Sequence, residues 1–246
     1  MLEVRNRRYI VTGASSGIGL DAARLLHENG AEVCLVARRG DLLAGIVTEL
    51  GSRAWSHACD LEDPIEIEAL AAAVGKRWGA ADGLVNNAGI APMASLDETD
   101  LATWDTVFDV NVRGPFLLCK ALGPLLKEGD NPSVVNISSS LADRAIPGMM
   151  AYNASKAALN HMTRCLALEW APTVRVNAIM PAVVDTPIHE GRGMSSEDVA
   201  GMGAMHPLGR VGQPRDISSM ILYLLSDASS WMTGAIIPID GGILVA

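Results

Sequence analysis

The chain has 246 residues, of which 49% are hydrophobic, and 28 acidic residues against 19 basic ones give it a formal net charge of −9. A sizeable core can therefore be buried, whereas nucleic-acid binding, which needs clustered lysine and arginine, is not favoured. The sequence shows neither a secretory signal nor an apolar run that could span a membrane. Its four cysteines and five histidines lack the spacing of a metal site, so we expect a cytoplasmic protein without a metal.

Short segments rich in β-branched residues alternate with longer amphipathic segments along the chain. The predicted strands are 9–12, 32–37, 53–58, 83–86, 133–138, 175–180 and 235–239, and the predicted helices include 18–29, 64–78, 101–127, 151–170 and 215–226. Continuous apolar strands alternating with helices are typical of a parallel sheet that is buried on both faces. We therefore predict an α/β fold, a single doubly wound (Rossmann-like) domain over residues 1–246 with a central parallel seven-stranded sheet.

One stretch, which we call the 185–212 segment, fits neither the strand nor the helix pattern. It is rich in glycine, methionine and proline. Long connections of this kind are often functional. We interpret the segment as a substrate lid within the domain; the alternative is a surface excursion without function.

The first predicted strand runs into a glycine-rich turn that opens a helix. The turn has the spacing G-x-x-x-G-x-G, with Gly13, Gly17 and Gly19 at its fixed positions. Glycine lets the backbone turn tightly and approach a pyrophosphate, while free N–H groups at the start of the helix attract the negative charge. A purely structural turn is the alternative, but a strand before the turn and a helix after it are the context that a dinucleotide site requires.

Further motifs follow the glycine turn in order. They are Asn86-Asn-Ala-Gly89, Asn111, Ser139, Tyr152-x-x-x-Lys156, Pro181-x-x-Val-x-Thr186 and Asp240-Gly-Gly242. On these motifs the chain resembles the short-chain dehydrogenase/reductase family over essentially its whole length. The resemblance implies an oxidoreductase that transfers hydride, with dinucleotide contacts at Gly13, Ser15, Ser16, Gly17, Ile18, Gly19, Arg38, Arg39, Asp60, Leu61, Asn87, Ala88, Gly89, Tyr152, Lys156, Pro181, Val184 and Thr186.

The residue after the second predicted strand bears on the choice of dinucleotide. A carboxylate there would hydrogen-bond the ribose of NAD and repel a 2′-phosphate, whereas an arginine would pair with that phosphate. Arg38 occupies the position and Arg39 follows, so the resemblance implies NADP(H); the alternative for Arg38 is an exposed side chain at the start of a helix. Many relatives that use NADP carry a basic residue inside the turn, where this chain has Ser15 and Ser16, so NAD(H) stays open.

Four residues form the expected catalytic set: Asn111, Ser139, Tyr152 and Lys156. Tyr152 and Lys156 are four apart in a predicted helix, so both project from one face. A nearby ammonium favours the phenolate and would lower the pKa of Tyr152, which we expect to donate a proton in reduction and accept it in oxidation. Ser139 lies at the end of a strand, where its hydroxyl can bond the substrate oxygen. The family spacing selects Ser139 from three consecutive serines, and Ser138 is the alternative. By the resemblance, Asn111 kinks a helix and holds a water linked to the lysine.

The resemblance also assigns the loop after the sixth predicted strand to the nicotinamide carboxamide, through the backbone of Val184 and the hydroxyl of Thr186. Ala182 departs from the family pattern, in which glycine is usual at that position. If the position requires a positive φ, alanine would strain the loop; otherwise the change is harmless.

The predicted substrate side comprises residues 141–150 and 185–205. Methionine suits irregular apolar pockets, so we expect an apolar, bulky or cyclic ketone or alcohol; the alternative is that these side chains serve only packing. No arginine stands out as a clamp for a substrate carboxylate. The apolar residues on which this expectation rests are Ile146, Met149, Met150, Met194, Met202 and Met205.

Three functions are compatible with the sequence. The favoured one is an NADP(H)-dependent carbonyl reductase, and the second is an NAD-dependent secondary alcohol dehydrogenase of the same family. A dinucleotide-binding sensor without catalysis is the third, but the complete catalytic set argues against it. Apolar residues surround much of the predicted helices 101–127 and 151–170. Relatives in the family pair these helices across two-fold axes into tetramers, so the resemblance implies a homotetramer, with a dimer as the alternative.

Overall fold

Apolar and β-branched residues fill seven parallel strands in the computed structural model, which describes residues 2–246. The strands form one sheet in the order β3-β2-β1-β4-β5-β6-β7. The predicted doubly wound fold with a seven-stranded sheet is confirmed, and each strand begins and ends within one residue of its predicted bounds. The strands are β1 (Arg8–Thr12), β2 (Glu32–Ala37), β3 (Ala54–Ala58), β4 (Gly83–Asn86), β5 (Ser133–Ile137), β6 (Arg175–Pro181) and β7 (Ile236–Ile239).

Helices cover both faces of the sheet. Successive side chains of a strand point to opposite faces. Val11 therefore packs in one core, beneath the helices Gly17–Glu28 and Pro214–Leu225, and Ile10 packs in the other, beneath the helices Pro64–Trp78 and Gly114–Lys127. The two apolar cores on either side explain why the strands read as continuous hydrophobic runs. The helices are α1 (Gly17–Glu28), α2 (Gly40–Leu50), α3 (Pro64–Trp78), α4 (Leu101–Phe108), α5 (Gly114–Lys127), α6 (Met150–Trp170), α7 (Ser196–Gly201) and α8 (Pro214–Leu225).

The helix predicted over 101–127 is interrupted around Asn111, where the resemblance implies a kink. A π-helical segment, Asp109–Arg113, separates α4 from α5. The fully buried Asn111 lies within it, and its side-chain amide pairs with both backbone groups of Ile90 at 2.9 Å. The wider turn therefore places a polar side chain inside the protein, where a loop backbone satisfies it.

The order of the strands determines where a ligand can bind. The chain reverses its direction of winding between β1 and β4, which are neighbours in the sheet although β2 and β3 lie between them in sequence. In such folds ligands bind beyond the carboxyl ends of the strands at this switch point.

Candidate active site

A cavity of about 1230 Å³ opens at the carboxyl ends of the strands. Nearly all of the predicted site residues line it, although they come from the segments that follow six different strands and from helix α6. Gly19 and Asn111 do not line the cavity and lie behind its wall. The predicted residues in the lining are Gly13, Ser15, Ser16, Gly17, Ile18, Arg38, Arg39, Asp60, Leu61, Asn87, Ala88, Gly89, Ser139, Tyr152, Lys156, Pro181, Val184 and Thr186.

The glycine turn forms a cradle that no side chain could enter. Gly13 has a φ of 63°, and a Cβ built on it would lie 2.7 Å from Asn87 Nδ2 and 2.9 Å from Ala88 Cα. Gly17 also has a positive φ, of 55°. The shape fits a ligand whose phosphates bind to backbone N–H groups at the start of a helix, as a dinucleotide requires.

Buried hydrogen bonds fix this turn to the neighbouring strand. Asn87 Nδ2 donates to the Thr12 carbonyl at 2.9 Å, and Thr12 Oγ1 accepts from the Asn87 backbone N–H at 3.0 Å. Thr12 Oγ1 also donates to the Val85 carbonyl at 3.1 Å. Asn87 therefore holds the turn in place as well as lining the cavity.

Two arginines follow β2 and lie at the edge of the cavity. Arg38 and Arg39 are exposed and line the cavity, and among the described residues neither forms an ion pair. Arg39 Nη2 donates to Ser15 Oγ at 3.2 Å, so its guanidinium reaches the glycine turn. Arg39 thus places a positive charge beside the glycine turn, which contains no basic residue of its own.

Tyr152 and Lys156 lie on the first turns of α6, and both are almost fully buried, at 7% and 4% exposure. Ser139, at 6% exposure, lies two residues after the end of β5 and beside Tyr152. Lys156 Nζ donates to the carbonyl of Ile137 at 2.9 Å and lies 5.7 Å from the centre of the Tyr152 ring. The three predicted catalytic groups on the cavity wall are therefore close together.

The expected electrostatic effect of the lysine needs correction. Burial raises the pKa of Tyr152, while the adjacent Ser139 hydroxyl and the Arg192 guanidinium act in the opposite direction. Burial also lowers the pKa of Lys156 to about 8. Removing two ionisable groups from water outweighs their attraction, since Lys156 bonds to a carbonyl and not to the phenol. The phenol consequently keeps its proton at neutral pH; the effect of a bound cofactor stays a prediction.

Asn111 supports the site from behind. Besides its two bonds to Ile90, its Nδ2 donates to Ser155 Oγ at 3.0 Å. A Cβ at Gly89 would lie 3.1 Å from Asn111 Oδ1 and 3.4 Å from Lys156 Nζ, so these two atoms flank the same glycine. The side-chain amide is thus fully used, and its link to the lysine through a water stays a prediction.

The loop after β6 is well braced, and Ala182 does not strain it. Among the described residues other than glycine, only Asn6 and Asn131 have a positive φ. The Val184 carbonyl lies 3.2 Å from Thr186 Oγ1, which donates to it, and 3.0 Å from Nε2 of the buried His189. Sequence reasoning missed His189, since a lone histidine in an irregular segment carries no periodic signal.

The 185–212 segment begins and ends at one point of the structure. Val184 forms an isolated parallel bridge with Gly212, and the Asp185 N–H donates to the Gly212 carbonyl at 2.9 Å. Between these ends the segment carries only α7 and two 3-10 turns, Glu190–Arg192 and Met202–Met205. Its ends are fixed, and residues 186–192 together with Met202 and Met205 line the cavity, whereas residues 193–201 do not.

The lining at the substrate end departs from the sequence prediction in two ways. Ile146, Met202 and Met205 line the cavity as expected, whereas the other three methionines of the predicted set, Met149, Met150 and Met194, do not. Arg192, which the sequence did not single out, also lines the cavity, and its Cζ lies 5.7 Å from the centre of the Tyr152 ring.

Comparison with known proteins agrees with this site. A family model described as Enoyl-(Acyl carrier protein) reductase matches residues 13–244. The chain belongs to the short-chain dehydrogenase/reductase family. It is 37% identical over 237 residues to the cis-4-hydroxycyclohexanecarboxylate dehydrogenase of Sinomonas cyclohexanicum, with 95% of this chain and 94% of that protein covered.

Solved structures of the family superpose closely. A short-chain dehydrogenase/reductase from Brucella melitensis, described as a glucose/ribitol dehydrogenase, has a TM-score of 0.93 and 34% identity, with 99% of each chain covered. A 3-ketoacyl-(acyl-carrier-protein) reductase from the same organism, complexed with NADH, has a TM-score of 0.91 and 30% identity, with 98% of this chain and 99% of that chain covered.

Membership establishes the general reaction. The short-chain dehydrogenases/reductases to which this chain is similar are oxidoreductases that act on alcohols and ketones, and the family binds a nicotinamide dinucleotide. Within residues 2–246, no helix has the length and apolarity needed to cross a membrane. The same residues contain no group of three or more potential metal-ligating side chains of histidine, cysteine, aspartate or glutamate.

Proposed function

We propose that the chain is an NADP(H)-dependent carbonyl reductase, reversible to a secondary alcohol dehydrogenase. The observation that carries the proposal is the grouping of Tyr152, Ser139 and Lys156 on one wall of a cavity whose opposite end is the glycine cradle. The phenol is buried and protonated, which suits a proton donor to a nascent alkoxide.

Each residue of the site then has one task. Ser139 bonds the substrate oxygen, Tyr152 gives it a proton, and Lys156 holds positive charge beneath the phenol ring. When bound, the nicotinamide supplies or accepts the hydride. Asn111 fixes the loop at Ile90 and, through Ser155, the helix that bears Tyr152. The 185–212 segment acts as the substrate lid, hinged at its bridge to Gly212.

The preference for NADP(H) rests on the two guanidinium groups at the end of β2. A 2′-phosphate needs a cation in this position, and Arg38 and Arg39 both line the cavity without a carboxylate partner among the described residues. The ratio of kcat/KM for NADPH to that for NADH tests the preference, and we expect it to exceed one. In Arg38→Asp the ratio should invert.

An NAD-dependent secondary alcohol dehydrogenase is the second candidate. The observations that favour it are the absence of a basic residue inside the glycine turn and the NADH complex of the Brucella reductase. Equal or greater kcat/KM with NADH in the unaltered protein would select this candidate over the first. A sensor without catalysis would bind either cofactor and turn over no substrate.

The assignment of the proton donor has a direct test. Tyr152→Phe removes only the hydroxyl, and we expect turnover to fall by about 10²–10⁴-fold while the cofactor still binds. Steady-state rates with a panel of ketones and secondary alcohols, together with cofactor titration, measure both. The substrate named for the Sinomonas relative belongs in that panel. Turnover retained in Tyr152→Phe would contradict the assignment.

We further propose a homotetramer, with a dimer as the alternative. Apolar side chains are exposed on the outer helices, among them Phe116 on α5 at 47% and Leu168 on α6 at 83%. Burial of such side chains between copies is favourable. Light scattering of the purified protein gives the mass, and Leu168→Glu should lower it if α6 lies in an interface.

A further inference from the structure

Arg192 spans the substrate end of the cavity. It ends the 3-10 turn Glu190–Arg192 of the 185–212 segment, and its Nε donates to the carbonyl of Ala91 at 2.9 Å. Ala91 belongs to the loop that follows β4, on the far side of the cavity. The same guanidinium has its Cζ 5.7 Å from the centre of the Tyr152 ring. Arg192 therefore lies within the reach of a small molecule held at Tyr152.

The guanidinium has no counter-charge from the protein. Among residues 2–246, no carboxylate lies within ion-pair distance of Arg192, and its two terminal nitrogens donate to no protein acceptor. Neither of these terminal nitrogens is fully buried. Burial lowers the pKa of Arg192, which reflects the cost of holding an uncompensated cation there.

Another arginine of the same segment shows the usual arrangement. Arg210 is more exposed than Arg192, does not line the cavity, and forms two bonds to the carboxylate of Asp216 at 2.6 and 2.9 Å. A side chain that served only to hold the segment down would need no more than such a surface pair. Arg192 uses only its Nε to hold the segment, through the bond to Ala91, and its two terminal nitrogens remain available to a ligand in the cavity.

The surrounding charges favour an anion. Besides Lys156, the substrate end contains Arg144, whose Nη1 is 3.4 Å from the Ile243 carbonyl, to which it donates. The one carboxylate of the described residues that lines this end is Glu190, which is exposed and makes no ion pair with Arg192. A guanidinium fork matches a carboxylate in a bidentate manner.

We propose that Arg192 binds the anionic group of the substrate, which is a short hydroxy or oxo carboxylic acid. The inference rests on the proposed function and narrows its substrate class. The carboxylate pairs with the guanidinium while the reacting oxygen faces Tyr152 and Ser139, so the two groups of the acid lie only a few bonds apart.

The test compares each acid with its neutral counterpart. The probes are cis-4-hydroxycyclohexanecarboxylate and 3-hydroxybutanoate, each beside its methyl ester, assayed with both cofactors. We expect the ratio of kcat/KM for acid over ester to fall by about 10–100-fold in Arg192→Gln, as for a lost bond to a charged group, and mainly through KM. Arg192→Lys should restore part of it. Arg210→Gln, a loss of the same charge from the same segment, should leave the ratio unchanged.

A binding measurement separates this inference from the proposed function. Cyclohexanecarboxylate and cyclohexanecarboxamide cannot be oxidised at a carbinol, so calorimetry with the cofactor-loaded protein reports recognition without turnover. The acid should bind about tenfold more tightly or better, and only in proteins with Arg192. Equal binding of acid and amide, or an unchanged ratio in Arg192→Gln, overturns the inference. If neutral alcohols are still oxidised, the proposed function stands.

Discussion

Two regions of the cavity wall are built in opposite ways. The dinucleotide region, which comprises the glycine turn and the loops after β2, β3 and β4, is fixed by backbone geometry and by buried bonds such as those of Asn87 to Thr12. The 185–212 segment has short helices, and two of its buried imidazole nitrogens, His189 Nδ1 and His206 Nε2, have no hydrogen-bond partner among the described residues. One region is tightly constrained and the other is loosely constrained.

The difference follows from what each region must recognise. A phosphate that approaches the backbone leaves no room for side chains, so the chain needs glycine and a rigid neighbour at fixed positions. A substrate is met by side chains on short local elements, and these can change without disturbing the sheet. Damage to the first region should therefore abolish function for every substrate, whereas damage to the second should be selective.

Gly13→Ala should have the largest effect on the dinucleotide region. The new methyl group would meet Ala88 Cα at 2.9 Å, and the residue would keep a positive φ. We expect cofactor affinity to fall at least about 30-fold, or 2 kcal/mol, measured by fluorescence titration. Gly51→Ala is the control, since it also has a positive φ but nothing within 4 Å. It should cost only stability. Comparable loss of affinity in both variants would show that strain, and not the cradle, is responsible.

Lys156→Met tests whether the buried lysine, which the proposed reaction requires, lowers the stability of the folded protein. Burial lowers the pKa of Lys156 to about 8, so the folded protein binds its proton less readily than the unfolded chain. We expect the cofactor-free variant to be more stable than the unaltered protein at pH 7, by up to about 3 kcal/mol, while turnover is lost.

The stability difference between Lys156→Met and the unaltered protein should depend on pH. Between about 8 and 10.5 the unfolded state carries more protons at this position, so the unaltered protein gains stability as pH rises and the advantage of the variant shrinks. Urea unfolding at several pH values measures this. The exposed Lys120→Met should show no such trend, and a pH-independent difference in Lys156→Met would contradict the assigned burial effect.

Arg38→Ala should weaken NADPH binding by about 1–3 kcal/mol and NADH binding far less, because only the former has a 2′-phosphate for the guanidinium. Competitive titration of the two cofactors measures the difference. Arg53→Ala, a loss of the same charge from an exposed position that is not part of the cavity lining, should affect both cofactors equally. Equal losses in Arg38→Ala would remove this arginine from the phosphate site.

Ser195→Ala should have the smallest effect and a local one. Ser195 and Asp198 form a capping box at the start of α7, and loss of such a cap costs about 1 kcal/mol. We expect KM for the substrate to rise while Tm changes little, because α7 is short and peripheral. Asp63→Ala removes the cap of α3 in the dinucleotide region and should lower Tm. A Tm drop of similar size in both variants would show that the two regions unfold together.

The sequence predicts the constrained region well. Gly13, Gly17 and Asn87 lie where their motif places them, because few residue types satisfy a positive φ or a close backbone approach. Tyr152 and Lys156 are predictable for a similar reason, since helical spacing determines that they share a face. The pKa of Tyr152 was not predictable, because it depends on burial by residues that are distant in the chain.

The contacts of the loosely constrained 185–212 segment could not be predicted from the sequence. Arg192 and His189 lie in a segment without periodicity, and what they contact, Ala91 and the Val184 carbonyl, is decided by how that segment folds over the cavity. The resemblance implied a kink at Asn111 but not its π-helical form, because the neighbouring residues are ordinary helix formers and the bonds of Asn111 to Ile90 decide the width of the turn. Tertiary contacts decide both cases.

The π-helical segment makes this part of the chain sensitive to length. Each residue advances a helix by about 100° of rotation, so deleting one residue between α4 and α5 would restore an ordinary helix and turn Asn111 away from Ile90. An insertion would have a comparable effect. We therefore expect the stretch 101–127 of this protein to tolerate substitutions but not insertions or deletions. The middle of the 185–212 segment, in contrast, can lengthen or shorten between its fixed ends. Inserting single residues along both stretches and measuring which variants still fold would identify the positions at which the fold does not tolerate a change in chain length.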